Sequence, residues 1–192
     1  MIDLLCCFHT RDHPIRLNAE FHRDVQWWSD FLMSWHGVSF WLFPGIAASP
    51  DVEVMPDATG SLGFGAYFHN EWFSDAWTPS QSQQWISCKE LFPIGVASHV
   101  WGSQWCRRPV FFRTDNEAVV HILTSRTSKI SCIMQLLHHL LSAPARFNFT
   151  FTAQHLPGIH NNIADALSRF VWQEFRFWLP RLSYFRSPSP NI

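Results

Sequence analysis

Apolar residues recur along this chain with two different periods, and the changes of period divide it into zones. Phe21, Val25, Trp28, Leu32 and Trp35 follow at spacings of three and four. That spacing predicts an amphipathic helix over about residues 18 to 35, stopped by His36-Gly37. The turn-rich Pro44-Gly45 and Ser49-Pro50-Asp51 then mark a boundary. From residue 51 the pattern becomes short and extended, in Val52 to Ala58, Leu62 to His69 and Trp72 to Trp77. Gly60, Gly63 and Gly65 lie in or beside the first connection and His69-Asn70 form the second, so the stretch reads as a three-stranded antiparallel meander.

Helical spacing returns at Leu91, Ile94, Ala97, Trp101 and Trp105. A start near Lys89 or Glu90 would place Pro93 in the first turn, where proline is tolerated. Pro109 to Thr114 predicts a strand ending at Asp115-Asn116, where a helix through Val119, Val120 and Leu123 can be capped. Residues 128 to 142 predict another helix, Phe147 to Gln154 a strand and His155 to Gly158 a turn. A last helix is expected from Asn161 or Asn162 through Phe170, Phe175 and Trp178, ending before Pro180, with a linker-like tail beyond it. The order βββ, α, β, α, α, β, α implies an α/β fold, a mixed sheet covered by helices.

Composition narrows the class. With 192 residues, 47% apolar and 15% charged, and 11 Trp plus 18 Phe, the chain can bury a substantial core and is not expected to be disordered. No apolar run reaches the 18 or so residues of a membrane span, so no membrane partner is expected. The start MIDLLCCFHTRDHPIR does not read as a signal peptide. Cys6, Cys7, Cys88, Cys106 and Cys132 are odd in number and form no CxxC pair, which argues against a disulfide framework and a thiolate zinc site. An intracellular, reducing location follows as the expectation, with cytoplasm and nucleus not distinguished. The net charge of −1 gives no general basic field for nucleic acid.

Four acids fall where regular elements begin or end: Asp57 in the first strand, Glu90 at the start of the first helix of the second zone, Asp115 after the fourth strand, and Asp165 in the first turn of the last helix. Such placement suggests convergence at one sheet edge. Carboxylate clusters without Cys or paired His suit hard cations such as Mg²⁺ or Mn²⁺. Two such ions about 4 Å apart can activate a water and stabilise the leaving oxygen in phosphodiester cleavage.

The phrases PDATGSLGFGAYF, KELFPI, FRTDNEAVV and HLPGIHNNIADALSR resemble, in that order, the ribonuclease H domain of a retrotransposon reverse transcriptase. KELFPIGVASHVWG and RLNAEFHRDVQWWSDFL are most similar to DIRS-type elements, which integrate through a tyrosine recombinase. The resemblance spans roughly residues 15 to 180. It implies a five-stranded mixed sheet, three antiparallel strands then two parallel, flanked by helices. Residues 1 to 50 become an N-terminal helical extension, 51 to 170 the ribonuclease H-like domain, and 171 to 192 the end of the last helix and its tail. The family's acid set falls on Asp57, Glu90, Asp115 and Asp165 as ligands of two Mg²⁺ or Mn²⁺ ions. Its loop histidine falls on His160 or His155, with the choice open. The implied chemistry is hydrolysis of the RNA strand of an RNA–DNA hybrid, with an upstream polymerase domain or parent polyprotein as partner; no YxDD-like polymerase motif occurs in these residues.

Asn116 is a candidate backbone contact or a helix cap, and Arg107, Arg108, Arg113, Arg126 and Lys129 are candidate phosphate contacts or solvated charges. GSLGFG reads as turn and close packing, since a strand and not a helix follows it. Asn148-Phe-Thr150 matches a glycosylation sequon but is discounted inside a predicted strand, and His138-His139 lack a zinc-site pattern. The tryptophans Trp27-Trp28, Trp101 and Trp105 are expected in packing before base stacking. A co-opted, non-catalytic binding module is the main competing function. A related DNA nuclease or integrase is a weaker one.

Overall fold

The computed structural model describes residue 14, residues 16–35, residue 37 and residues 52–179. The chain divides into two units, Met1–Gly37 and Val38–Ile192. The first holds helix α1 (Ala19–Ser34), within one residue of the predicted span at each end. Asn18 caps it, its side chain accepting a hydrogen bond from the Phe21 N–H at 2.8 Å. Within this unit Val25, Trp28, Leu32 and Trp35 are exposed, and Trp27 stacks on Phe31 with centroids 5.3 Å apart. The expected boundary at residues 44 to 51 and the tail beyond Leu179 lie outside the described residues.

The second unit contains β1 (Val52–Ala58), β2 (Gly63–Phe68), β3 (Glu71–Ala76), α2 (Ile86–Val100), β4 (Pro109–Thr114), α3 (Glu117–Ser125), α4 (Ser131–Phe147), β5 (Thr150–His155), α5 (Asn162–Ser168) and α6 (Trp172–Trp178). The strands form one sheet in the order β3-β2-β1-β4-β5. Pairing is antiparallel between β1 and β2 and between β2 and β3, and parallel between β1 and β4 and between β4 and β5. This is the mixed five-stranded sheet that the sequence predicts.

Strand alternation gives the sheet two apolar faces. Phe64, Ala66, Phe68 and Phe73 join the main core with Leu91 and Ile94 of α2 and Leu137 and Leu140 of α4. Trp101 and Trp105 are fully buried in that core, against Phe68, Phe73, Phe112 and Phe149, and so are packing residues as expected. On the opposite face Trp72 and Tyr67 meet Leu167 of α5 and Phe175 of α6. Close contact there requires glycine. A Cβ on Gly65 would lie 2.7 Å from the Leu167 Cβ, and one on Gly63 would lie 2.5 Å from the Phe170 ring and 2.3 Å from the Asp75 carbonyl. Gly63 and Gly65 of GSLGFG therefore let a helix and its terminus lie directly on β2, while Gly60 has open space.

Several expectations need correction. The helix carrying Glu90 starts at Ile86, so Pro93 lies in its interior and Glu90 is past its first turn. Its first turn closes where the Cys88 and Lys89 N–H groups donate to the Trp85 carbonyl. Burial of Leu91, Pro93, Ile94 and Val96 offsets the missing proline hydrogen bond. The last helix is two helices. Phe170 takes φ 59°, its N–H donates to the Leu167 carbonyl and the Val171 N–H donates to the Ala166 carbonyl, the Schellman closure of a helix end. Glycine usually marks that position, and phenylalanine there hides the stop. The helix expected at residues 128 to 142 runs from Ser131 to Phe147 and ends at Asn148, φ 57°, so this asparagine is a helix cap and β5 begins only at Thr150. Finally, Cys88 of α2 and Cys132 of α4 meet as a disulfide with Cα atoms 6.8 Å apart. Their separation of 44 residues carries no local signal in the sequence. Cys106 is free and exposed.

Gly65→Ala is expected to destabilise the second unit by about 1–3 kcal/mol, because Leu167 or the β2 backbone must move to admit the methyl. Urea denaturation measures this, and an unchanged midpoint would show that α5 does not bear on β2 as described.

Candidate active site

The carboxyl ends of β1 and β4 lie side by side because these strands are parallel, with Val54 opposite Phe112. Asp57 and Asp115 each follow three residues after that pair and so reach the same edge. Glu90 approaches from α2. An oxygen of each of these three carboxylates lies within 4.8 Å of the others. Asp57 is buried, Glu90 half-buried and Asp115 exposed, so the cluster opens to solvent on the Asp115 side.

Crowding acids against a core disfavours their charged forms. Burial, helped by the charges of Asp57 and Asp115, raises Glu90 to about 8, against a hydrogen bond with the Ala58 backbone. Burial raises Asp57 to about 6, with the Asp165 and Asp115 charges adding to it and the Ser168 hydrogen bond and Arg169 opposing.

The fourth expected acid stands apart from these three. Asp165, in the first turn of α5, is held by Arg169, whose Nε donates to its Oδ1 at 2.6 Å. Its charge is nevertheless felt at Asp57. The two histidines lie on segments next to Asp115. His155 ends β5 opposite Thr114, the residue before Asp115. His160 closes the 3-10 turn Gly158–His160, in which a Cβ on Gly158 would lie 3.2 Å from Asp115 Oδ2. Both rings are exposed.

Of the candidate nucleic-acid contacts, Asn116 caps α3, accepting from the Val119 N–H at 3.2 Å. Arg113 pairs with Glu53 at 2.6 Å. Arg126 ends α3 at φ 54° and lies over the Phe151 ring at 5.6 Å, and Lys129 is exposed. Arg107, at φ 60°, and Arg108 are exposed beside the start of β4.

Three polar residues that sequence reasoning did not single out shape the site. Asn161 Nδ2 donates to Asp57 Oδ1 at 3.2 Å, and the Ser168 hydroxyl donates to Asp57 Oδ2 in a short hydrogen bond. Both are buried, and Asn161 Oδ1 has no hydrogen-bond partner. Lys89, buried beside Glu90, donates from Nζ to the Gly60 carbonyl at 2.5 Å and the Ser82 carbonyl at 2.6 Å, tying the β1–β2 turn and the Gln81–Gln83 turn to α2. Asn161, Ser168 and Lys89 all lie within the quoted motifs, but nothing in their spacing shows what they touch.

No protein-family model matches the chain, and no curated protein matches it. Among solved structures it is similar to RNase H1 from the halophilic archaeon Halobacterium salinarum NRC-1, with 14% identity and a TM-score of 0.50 over 64% of this chain and 98% of that one. The N-terminal RNase H domain of Rv2228c from Mycobacterium tuberculosis, as a fusion with maltose-binding protein, also matches, with 16% identity, a TM-score of 0.44 and coverage of 60% and 95%. The fold is ribonuclease H-like. On this ribonuclease H-like sheet the cluster is a candidate metal centre. Its donors are three carboxylates with no thiolate or imidazole, a set that fits Mg²⁺ or Mn²⁺. The raised Glu90 fits as well, since a cation would offset the burial and the neighbouring charges that keep it protonated.

Without metal, Asp57 and Glu90 hold protons in the folded chain at pH values where the unfolded chain has lost them. Stability should therefore fall as pH rises from the ordinary carboxylate range toward about 8. Thermal melts in chelator across this window should show the fall. Glu90→Gln should flatten most of it, and a pH-independent melting temperature would refute the crowding.

Proposed function

We propose that the second unit is a metal-dependent endonuclease that hydrolyses the RNA strand of RNA–DNA hybrids. The observation that carries this reading is the convergence of Asp57, Glu90 and Asp115 within 4.8 Å on a ribonuclease H-like sheet. Two divalent cations, Mg²⁺ or Mn²⁺, would supply Lewis-acid activation of water and stabilisation of the leaving 3′ oxygen. Asp57 and Asp115 are assigned as the most direct ligands, with Asp57 fixed from behind and Asp115 open to solvent. Glu90 would hold its charged form beside a bound cation and would face the 2′-hydroxyl, the group that separates RNA from DNA. Asp165 is assigned to the second ion, its carboxylate oriented by Arg169.

The finer reading rests on FRTDNEAVV and HLPGIHNNIADALSR for a retrotransposon reverse transcriptase and on KELFPIGVASHVWG and RLNAEFHRDVQWWSDFL for the DIRS type: a domain working beside a polymerase that holds the hybrid. Electrostatics support a need for such help. A chain of net charge −1 releases few counterions on binding a duplex. Arg113 is already engaged by Glu53, which leaves the exposed Arg126 and Lys129 as candidate phosphate contacts.

The test is incubation with a labelled RNA–DNA hybrid, a DNA duplex and an RNA duplex in Mg²⁺ and in Mn²⁺. Cutting confined to the RNA of the hybrid is expected. No cleavage in either ion would favour a co-opted binding module. Asp57→Asn and Asp115→Asn should each reduce cleavage to background while keeping the fold, because one lost carboxylate unbalances a two-cation site. Wild-type rates in either variant would overturn the acid assignment.

The loop histidine is a separate matter. His160→Ala should slow turnover about a hundredfold, the lower range of general acid–base effects, with His155→Ala as comparison. Equal rates for both variants and the wild type would leave the loop a structural part only.

A further inference from the structure

Asp57 lies opposite Gly65 in the β1–β2 register, on the face covered by α5. Asn161, Asp165 and Ser168 are spaced four and three apart, so they form one stripe along this helix and its cap. Both ends of the stripe grip the same carboxylate, Asn161 at Oδ1 and Ser168 at Oδ2. The Ser168 hydroxyl also lies 2.9 Å from the Asp165 carbonyl of its own helix, which fixes its rotamer. It is fully buried, so no solvent competes for its single proton, and a carboxylate is a stronger acceptor than an amide carbonyl.

We infer that Ser168 is a positioning residue for metal uptake: with Asn161 it locks the Asp57 carboxylate in the orientation that leaves its remaining lone pairs to a cation shared with Glu90 and Asp115. The inference rests on the metal-site reading above. A carboxylate held at only one oxygen can rotate about its Cβ–Cγ bond, and three ligands from three separate elements then no longer meet at one point. Ser168 itself touches neither cation nor substrate. Its effect is transmitted through Asp57, as with other partners that orient metal ligands.

The experiment is calorimetric titration of the full chain with Mn²⁺, for the wild type, Ser168→Ala, Ser168→Thr and Asp57→Asn, alongside thermal melts in chelator. Ser168→Ala should weaken Mn²⁺ binding about 10- to 100-fold, the range seen when partners of metal ligands are removed. Ser168→Thr, which keeps the hydroxyl, should recover most of that loss, a rescue that a purely packing role would not produce. If Ser168→Ala does not fold, Ser168→Cys replaces it, being close in size and a weak donor. A folded Ala or Cys variant that binds Mn²⁺ as the wild type does overturns the inference and leaves the metal-site reading standing. A wild-type chain that takes up no more Mn²⁺ than Asp57→Asn overturns both.

Discussion

The contact between α5 and β2 sets the position of every group on one side of the acid cluster. It exists only because Gly63 and Gly65 present bare backbone where any side chain would strike Phe170 or Leu167. With the helix seated at that depth, Ser168 and Asn161 come within hydrogen-bonding reach of Asp57. A helix lifted by the width of a methyl group would leave a buried carboxylate without donors, a heavy penalty in a low-dielectric setting. Packing and electrostatics are thus settled by the same two glycines.

The other side of the cluster is built differently. Glu90 comes from a helix with a proline in its interior, stapled to α4 through Cys88–Cys132 and to the turns above it through Lys89. These ties hold Glu90 against the ends of β1 and β4, although its charge is disfavoured there. A rigid frame that forces like charges together tends to store strain at a functional site, where a ligand can relieve it.

The sheet, its strand order class and the three acids that converge were legible in the sequence, because strand alternation and element ends are local patterns. Asp57 and Asp115 stand at strand ends, but Glu90 lies inside its helix, and the order of the motifs around the acids marks them more than their placement does. What stayed hidden depends on partners far along the chain: the Ser168 to Asp57 bond spans 111 residues, and the Cys88–Cys132 pair spans 44. The start of α2 was misread because core burial outweighed the proline rule, and the break after α5 because phenylalanine occupies a position where glycine is the usual sign. Arg113 looks available for phosphate from sequence alone, while the folded chain pairs it with Glu53; for Asn116 the helix cap is one of the two readings that the sequence leaves open, and the structure shows that cap.

Phe170 and Gly63 bear on one another in a way that reaches beyond this single chain. The phenylalanine holds a left-handed backbone conformation that bulky residues seldom adopt, and its ring fills the space that a Cβ on Gly63 would need. A glycine at 170 would relax the backbone and open a gap over β2, but a side chain at 63 could not enter it, because its Cβ would still lie 2.3 Å from the Asp75 carbonyl of the neighbouring strand. Position 63 is therefore held to glycine from two sides, by the Phe170 ring and by the β3 backbone. In diverging sequences the residue at the helix terminus should therefore vary in bulk while the strand glycine stays, since no loss of volume at 170 makes room at 63.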